Sequence, residues 1–291
     1  MLKNMNIGWV GLGNMGRPMS LRIHRAGAQV FVTSRNQASV EKMVSHGLRA
    51  AKNPREAARN ADVLILTLFD AASVRDVLEG EDGVLAGLRP GSLLIDMGTT
   101  DVAATRGFAD LAAKRDIAYL DAPVSGGARG AAEGTLTIMV GGEESHLQRA
   151  MPLFSILGTH ITHVGPVGAG QATKAANQII VGLTIAAVAE AFGLICRAGV
   201  DLSKASEALR GGFADSRVLR EHGSRMIRED YAPGATIAVQ CKDMHQALSL
   251  AKASGLEMPL TKLAAERFDE VANLGFHHLD QSSIFKLVKP C

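Results

Sequence analysis

The chain has 291 residues, of which 47% are hydrophobic, and its 31 Lys and Arg against 29 Asp and Glu leave a formal net charge of +2. This length and apolar content favour one large or two ordinary globular domains and argue against disorder. The near-neutral charge and the 4% of aromatic residues argue against a nucleic-acid-binding protein. A small-molecule ligand is the better expectation.

The N-terminus and the cysteines indicate where the protein works. No apolar segment of signal-peptide length precedes the first glycines of the chain. Cys196, Cys241 and Cys291 are odd in number and far apart, which fits a reducing compartment and offers neither a disulfide framework nor a zinc motif. We therefore expect a cytoplasmic protein without a bound metal.

Short β-branched runs alternate with helical patterns over residues 1–165. This alternation is typical of βαβ units and predicts a Rossmann-type, doubly wound α/β domain with a mostly parallel sheet. The predicted strands cover residues 7–10, 30–33, 63–68, 93–96, 118–121, 136–140 and 160–164.

Strand patterns largely stop after Gly165, so we expect an all-helical domain over residues 166–291. Its first helix, predicted at about 170–198, is apolar on almost every side and must be enclosed by other helices or by a second subunit. The run approaches membrane-spanning length, but Glu190 lies within it, which favours a buried helix.

A glycine-rich loop connects the first predicted strand to a helix. Its residues are Gly11, Leu12, Gly13, Asn14, Met15 and Gly16, a GxGxxG pattern. Between a strand and a helix this pattern predicts a dinucleotide site, in which Gly11 makes the turn, Gly13 admits the pyrophosphate and Gly16 packs on the strand. The helix N-terminus adds N–H groups and a partial positive charge. A purely structural glycine turn is the alternative.

The end of the second predicted strand bears on the choice of cofactor. NAD-binding proteins place an Asp or Glu about 20 residues after the loop, on the ribose hydroxyls. This chain has Ser34 and Arg35 there, and its first acidic residue is Glu41. Because a hydroxyl and a guanidinium can bind an adenosine 2′-phosphate, we predict NADP(H) as the preferred cofactor, with NAD(H) possible. Alternatively, Arg35 is solvated or stacks on adenine.

Ser125, Gly126 and Gly127 follow a predicted strand, at the rim where open α/β sheets bind ligands. Their hydroxyl and N–H groups suit a carboxylate. A serine nucleophile is not expected, because the G-x-S-x-G pattern and an activating His/Asp pair are missing. An ordinary glycine turn is the alternative.

Lys174 lies near the start of the long predicted helix, with Asn177 and Gln178 at i+3 and i+4 on the same face. Burial makes an ammonium group a better proton donor. The residues alone leave two interpretations equally open: a catalytic lysine, or a lysine that extends into solvent from a helix end.

Four segments together resemble the β-hydroxyacid dehydrogenase family over essentially the whole chain. They are GLGNMGRPM at 11–19, DAPVSGG at 121–127, GQATKAANQ at 170–178 and KD at 242–243. The family includes 3-hydroxyisobutyrate dehydrogenases, tartronate semialdehyde (2-hydroxy-3-oxopropionate) reductases and glyoxylate/succinic semialdehyde reductases. The tartronate semialdehyde reductases are the most similar branch in KAANQIIVGLTIAAVAEAF and LRGGFADSRVL.

The resemblance implies a role for each matching residue. Lys174 would be the general acid in reduction and the base in oxidation. Substrate would be bound by Ser125, Gly126, Gly127, Asn177, Gln178 and Asp243. The cofactor cleft would be lined by Leu68, Thr99 and Lys242, in addition to the glycine loop. Subunits would pair through the helical domain, as a homodimer or homotetramer, with no membrane or nucleic-acid partner.

The implied reaction is hydride transfer from NADPH to a small 3-oxo acid such as tartronate semialdehyde. Oxidation of 3-hydroxyisobutyrate or a β-hydroxy amino acid is an alternative. A non-catalytic NADP-binding scaffold is another, but the presence of Lys174 argues against it. Three residues depart from the family pattern: Phe69 in place of a Pro, Gly98 in place of a Ser, and Ala235 where related reductases tend to have Phe. These departures leave the particular semialdehyde open.

Overall fold

The computed structural model describes residues 2–3 and 5–289. The chain divides into two compact units, Met1–Lys174 and Ala175–Cys291. This division falls inside one helix, and the domain boundary predicted at residue 165 stays a prediction. Of the three cysteines, Cys196 and Cys241 are free thiols, and Cys291 lies outside the described residues.

The first unit is built on one sheet, which has nine strands in the described part of the chain. The strands are β1 Asn6–Val10, β2 Gln29–Thr33, β3 Arg49–Ala50, β4 Val63–Leu66, β5 Leu93–Asp96, β6 Ala118–Asp121, β7 Val124–Ser125, β8 Leu136–Gly142 and β9 Gly158–Gly165. Its helices are α1 Gly16–Arg25, α2 Gln37–Val44, α3 Pro54–Arg59, α4 Ala71–Glu79, α5 Val102–Ala113, α6 Gly127–Glu133 and α7 Glu144–Leu157, with a 3₁₀ turn at Val84–Ala86.

The strand order β3-β2-β1-β4-β5-β6-β8-β7, with β9 beside β8, is that of a doubly wound fold with extra strands at one edge. The ladders from β3 to β6 are parallel, and β8 runs antiparallel to β6 and β7. The predicted Rossmann-type fold is confirmed. The strand predicted at 63–68 ends at Leu66, because Thr67 turns its hydroxyl to the glycine loop and donates to the Gly11 carbonyl oxygen at 2.7 Å.

The core of this unit lies on both faces of the sheet. Leu64 and Leu66 pack into one hydrophobic cluster, while Ile65 between them packs into the other. This alternation follows from the two-residue period of a strand. Trp9 is fully buried in the second cluster, and its indole N–H donates to the Thr67 hydroxyl at 3.0 Å. The hydroxyl that holds the glycine loop is therefore fixed by a core residue.

Helix α8 spans Ala169–Arg197 and passes from the first unit into the second. It agrees with the helix predicted at 170–198. Among the described residues it is also the one helix whose length and composition would suit a membrane span. In the second unit Ile185 and Phe192 are fully buried in the helical core, and 28% of the most apolar 18-residue window of α8 is buried.

The second unit consists of the rest of α8 and shorter helices. They are α9 Leu202–Leu209, α10 Ser224–Arg228, α11 Ile237–Ala253 and α12 Pro259–Val271, with π-helical segments at Leu219–Gly223 and Ala272–Phe276 and a 3₁₀ segment at Gln281–Leu287. Phe192 and Phe285 pack edge to face at its centre, with ring centroids 6.4 Å apart. The predicted helical domain is confirmed.

Buried Asp280 holds the loop that leads into α11. Its carboxylate accepts the Gly234 N–H at 3.1 Å and the Ser282 hydroxyl at 2.7 Å, and it lies 3.5 Å from His222 Nδ1. Burial alone would raise the pKa of Asp280, but the neighbouring His222 imidazole and the hydrogen bonds from Ser282 outweigh it and hold the pKa at about 2. Asp280 is therefore ionised at neutral pH and anchors the start of α11.

Candidate active site

The three glycines of the loop after β1 differ in what surrounds them. A Cβ on Gly11 would overlap the Thr67 carbonyl oxygen, and one on Gly16 would overlap that of Gly11. Gly11 also has a φ of +100°, which only glycine adopts readily. A Cβ on Gly13 would meet no protein atom within 4 Å. The fold thus requires Gly11 and Gly16, whereas the space beside Gly13 is open to a ligand.

The remaining loop residues support this arrangement. Leu12 is buried at 3% exposure, and Met15 packs against the hydrophobic core. Asn14 accepts a hydrogen bond from the Arg17 guanidinium at 3.2 Å. No side chain caps the N-terminus of α1 and no acidic residue lies in its first turn. The backbone N–H groups at this end of the helix can therefore donate hydrogen bonds to phosphate oxygens.

Ser34 and Arg35 follow β2, the strand that pairs with β1. The Ser34 hydroxyl oxygen accepts the Asn36 N–H at 3.3 Å, and the Asn36 side chain caps α2 by accepting the Ser39 N–H at 3.2 Å. Arg35 is exposed. The turn is thus fixed by its own hydrogen bonds, and a basic side chain stands at the same sheet edge as the glycine loop.

Leu68 and Thr99 lie after β4 and β5 at this edge, and both are half-buried. Leu68 contacts the glycine loop, because a Cβ on Gly11 would lie 3.1 Å from its Cδ2 atom. A Cβ on Gly98 would lie 2.7 Å from the Leu68 carbonyl oxygen. This close approach accounts for Gly98, since a serine there would push the two loops apart.

Ser125 belongs to the short strand β7, which pairs with β8, so it does not lie in a simple turn. Gly126 and Gly127 then adopt φ values of +131° and +64° and lead into α6. Ser125 is half-buried and Gly127 is exposed, with no protein atom within 4 Å of the position of a Cβ. The Ser125 hydroxyl and the accessible backbone of Gly127 therefore lie close together in the chain.

Helix α8 begins against the ends of β6 and β8. The Asp121 carboxylate accepts the Gly168 N–H at 2.8 Å and the Gln171 N–H at 2.9 Å. A Cβ on Gly170 would lie 2.5 Å from the Met139 carbonyl oxygen, so the helix touches the strands directly. Lys174, one turn further on, is only 7% exposed. This burial argues against a lysine that extends into solvent.

Four of the predicted residues form a hydrogen-bonded cluster in the second unit. Asn177 Nδ2 donates to Gln178 Oε1 at 2.7 Å, and Gln178 Nε2 donates to Asp243 Oδ2 at 2.6 Å. Lys242 Nζ lies 2.8 Å from Asp243 Oδ1 and donates to Gln246 Oε1 at 3.3 Å. The structure therefore brings together residues that are 65 positions apart in the chain.

Sequence reasoning missed several polar residues around these groups. Gln240 is 1% exposed and its Nε2 donates to the Gln178 carbonyl oxygen at 3.4 Å. Gly182 allows this contact, because a Cβ there would lie 2.5 Å from Gln240 Nε2. Gln171 was missed in the same way. A glutamine inside an otherwise apolar helical pattern is the available signal, since most buried side-chain polar atoms take hydrogen-bond partners.

Two family models divide the chain between them. The NAD binding domain of 6-phosphogluconate dehydrogenase matches residues 6–165, and the NAD-binding domain of NADP-dependent 3-hydroxyisobutyrate dehydrogenase matches residues 168–288. A Rossmann-type sheet with an open glycine loop, followed by a helical domain, defines the class: the protein is an NAD(P)-dependent oxidoreductase. Among the described residues, no group of three or more His, Cys, Asp and Glu is placed to hold a metal ion.

Comparison with individual proteins narrows the class. The chain is 41% identical to 2-hydroxy-3-oxopropionate reductase of Escherichia coli (strain K12), over 98% of this chain and 97% of that protein. It is 34% identical to NAD-dependent L-serine dehydrogenase of Pseudomonas aeruginosa, over 98% of each. The solved structure of Mycobacterium tuberculosis 3-hydroxyisobutyrate dehydrogenase with L-serine superposes with a TM-score of 0.90 at 32% identity, covering 98% of this chain and 99% of that one. The chain belongs to the β-hydroxyacid dehydrogenase family.

The substitution Gly13→Ala tests the role expected of this glycine. Its methyl group meets no protein atom, so we expect an unchanged melting temperature. It would occupy the space that a pyrophosphate needs, and affinity for NADPH should fall about tenfold or more. Titration of NADPH binding by fluorescence measures this loss.

Gly107→Ala is the matched control, because Gly107 lies inside α5 and a Cβ there also meets nothing within 4 Å. It should leave NADPH affinity unchanged. Equal affinities for Gly13→Ala and the unmodified protein would contradict a pyrophosphate site at Gly13.

Proposed function

We propose that the protein reduces a small 3-oxo acid of the tartronate semialdehyde type to the hydroxy acid, with NADPH as the hydride donor. The observation that carries the proposal is the burial of Lys174 in a helix anchored to the sheet that bears the glycine loop. The identity of 41% to a 2-hydroxy-3-oxopropionate reductase over nearly the whole chain supports the substrate class.

The proposed reaction requires a bound carboxylate, a polarised carbonyl and a proton donor. Bound NADPH supplies the hydride for the carbonyl carbon. The Ser125 hydroxyl and the backbone N–H groups of Gly126 and Gly127 bind the substrate carboxylate and orient the carbonyl. The Lys174 ammonium donates its proton to the carbonyl oxygen as negative charge develops there, and in oxidation the neutral amine takes the proton back.

The hydrogen-bonded cluster of the second unit has a supporting role in this proposal. Asn177, Gln178 and Asp243 are assigned to the substrate, and Lys242 to the cofactor. Gln178 is held between Asn177 and Asp243, so its amide has a defined orientation. Ala235 lies in the loop before α11, where related reductases tend to have Phe, and we propose that this smaller side chain admits a bulkier substrate.

Preference for NADPH is proposed from the turn after β2. The Ser34 oxygen already accepts the Asn36 N–H, which leaves its hydroxyl proton to donate to a 2′-phosphate. The exposed guanidinium of Arg35 adds a planar pair of donors. Acidic residues, which would repel a phosphate and bind a ribose diol, do not occur before Glu41.

Oxidation of a β-hydroxy acid such as serine or 3-hydroxyisobutyrate is the second candidate. It would use the same residues, with Lys174 as the base. Relatives named L-serine dehydrogenase and 3-hydroxyisobutyrate dehydrogenase, at 34% and 32% identity, favour it. The ratio of kcat/KM in the two directions separates the candidates.

We also propose that the protein forms a homodimer through α8 and acts in the cytoplasm. Ile180, Ala187 and Leu194 are exposed at intervals of seven residues, and Ile180 and Leu194 are 67% and 70% exposed. This spacing places them on one face of the helix. An exposed apolar stripe of this kind is typical of a surface that a second copy covers.

Lys174→Met tests the proton donor. The neutral side chain has a similar length but no proton to give, so kcat for reduction should fall about 10²- to 10⁴-fold. NADPH affinity should stay within about twofold, because no hydrogen bond to the phosphates is lost. Lys204→Met, on the surface of α9, is the control. Near-normal turnover of Lys174→Met would overturn the proposed mechanism.

Arg35→Asp tests the choice of cofactor. The substitution removes a phosphate ligand and adds a carboxylate suited to the ribose hydroxyls, so the NADPH/NADH ratio of kcat/KM should fall about 100-fold or more. Arg59→Asp makes the same charge change on α3 and should leave the ratio unaltered. If Arg35→Asp also leaves the NADPH/NADH ratio unaltered, Arg35 does not bind the 2′-phosphate.

Ile180→Glu and Leu194→Glu test the dimer. Each places a charge on the apolar stripe, so the mass in solution should fall toward that of the 30.6 kDa monomer. Val44→Glu changes an exposed apolar residue of α2 and should leave the mass as it is. Sedimentation velocity gives these masses, and an unmodified protein that is monomeric would refute the pairing outright.

A further inference from the structure

Two buried aspartates stand side by side at the edge of the sheet. Asp96 ends β5 and Asp121 ends β6, and the two residues are partners in the register of these parallel strands. Both are 0% exposed. Burial raises the pKa of Asp121, although the backbone N–H groups of Gly168 and of Gln171 in α8 lower it. Two neighbouring buried carboxylates are costly, so each needs hydrogen-bond donors from the chain around it.

Each aspartate obtains its donors from a different segment. Asp96 Oδ1 accepts the Gly98 N–H at 2.9 Å and so orders the loop after β5. Asp121 accepts the N–H groups of Gly168 and Gln171, at 2.8 and 2.9 Å, and so orders the start of α8. The two carboxylates therefore fix two separate segments, one next to Thr99 and one next to Lys174.

The Gln171 side chain joins these two segments. Its Nε2 donates to the Gly98 carbonyl oxygen at 3.0 Å, and its Oε1 accepts the Thr100 N–H at 3.1 Å. The amide thus pairs with the backbone on both sides of Thr99, as a neighbouring strand would. Gln171 is 1% exposed, so water does not compete for these bonds.

We propose that Gln171 is a positioning residue that sets Lys174 relative to the loop carrying Thr99. The inference rests on the proposed role of Lys174 as proton donor. Lys174 follows Gln171 by three residues in α8, on the same face, so a displacement of Gln171 carries the lysine with it. A shift of about 1 Å in a catalytic group can cost about 100-fold in rate.

The chemistry of the site explains why a glutamine is required. A carboxylate in its place could accept the Thr100 N–H but could not donate to the Gly98 oxygen, and it would bring a third negative charge close to Asp96 and Asp121. An apolar side chain would leave the Gly98 oxygen and the Thr100 N–H without partners. The direct contact of Gly170 with Met139 leaves α8 no room to move closer and compensate.

Gln171→Met removes both bonds while it keeps the length of the side chain. We expect kcat for reduction, measured per folded NADPH-binding site, to fall about 10- to 100-fold, with little change in KM. The solvent deuterium isotope effect on kcat should rise, because proton donation from a displaced lysine becomes slower. A purely structural role would not move this isotope effect. The Thr100 amide should also exchange faster.

Thr173→Val is the matched control on the same turn of α8. The Thr173 hydroxyl donates to the Ala169 carbonyl oxygen of its own helix, at 2.8 Å. Its loss should leave kcat and the isotope effect unchanged. Gln171→Asn is the second variant if Gln171→Met does not fold, since it keeps the polar amide but is one methylene too short. It should show the same fall in kcat and the same rise in isotope effect.

The comparison with Lys174→Met separates the possible failures. If Lys174→Met is inactive while a folded Gln171 variant keeps the kcat and isotope effect of the unmodified enzyme, the positioning role is wrong and the proposed function stands. If Lys174→Met turns over normally, both are overturned. A loss of kcat without a change in the isotope effect would assign Gln171 to the stability of the site and refute the inference.

Discussion

The carboxylate of Asp121 holds the start of the longest helix against the end of a sheet strand, and the placement of the chemical groups in the first unit depends on this contact. Backbone N–H groups at a helix N-terminus carry a partial positive charge, and a buried carboxylate satisfies both their hydrogen bonds and that charge. Its hydrogen bonds to Gly168 and Gln171 fix the turn that precedes Lys174. The lysine is thereby attached to the same sheet edge as the glycine loop and the Ser125 segment.

Glycine residues allow the backbone segments at this edge of the sheet to approach one another closely. Gly11, Gly16 and Gly98 lie where a Cβ atom would overlap a neighbouring backbone atom. Gly170 allows α8 to contact β8 directly. Gly13 is different, because the protein itself leaves its Cβ position empty. Glycines required by packing can thus be distinguished from one whose space is available to a cofactor, which the GxGxxG pattern alone cannot do.

Much of the fold could be predicted because its signals are local. The seven expected strands are present and α8 agrees with its predicted range, since apolar periodicity and glycine turns act within a few residues. The two-residue strands β3 and β7 were missed, because so short a run has no period. The antiparallel direction of β8 depends on tertiary pairing, which is not visible in local patterns.

The site could be predicted in part. The glycine loop and Lys174 were singled out from spacing, whereas Lys242 and Asp243 were named only through resemblance, and the roles of all of them stay predictions. The structure gathers Lys242 and Asp243 with Gln178. Gln171 was missed because its partners lie 71 and 73 positions away in the chain, beyond any local pattern. The choice of cofactor and the particular substrate depend on bound molecules, and they stay predictions.

The most direct measurement is kcat/KM for the reduction of tartronate semialdehyde with NADPH. The values to compare with it are kcat/KM for the same reduction with NADH, and for the oxidation of L-serine and of 3-hydroxyisobutyrate with NADP⁺ and with NAD⁺. The account predicts the highest value for the semialdehyde with NADPH. A higher value for L-serine or 3-hydroxyisobutyrate oxidation, or for the semialdehyde with NADH, would contradict it.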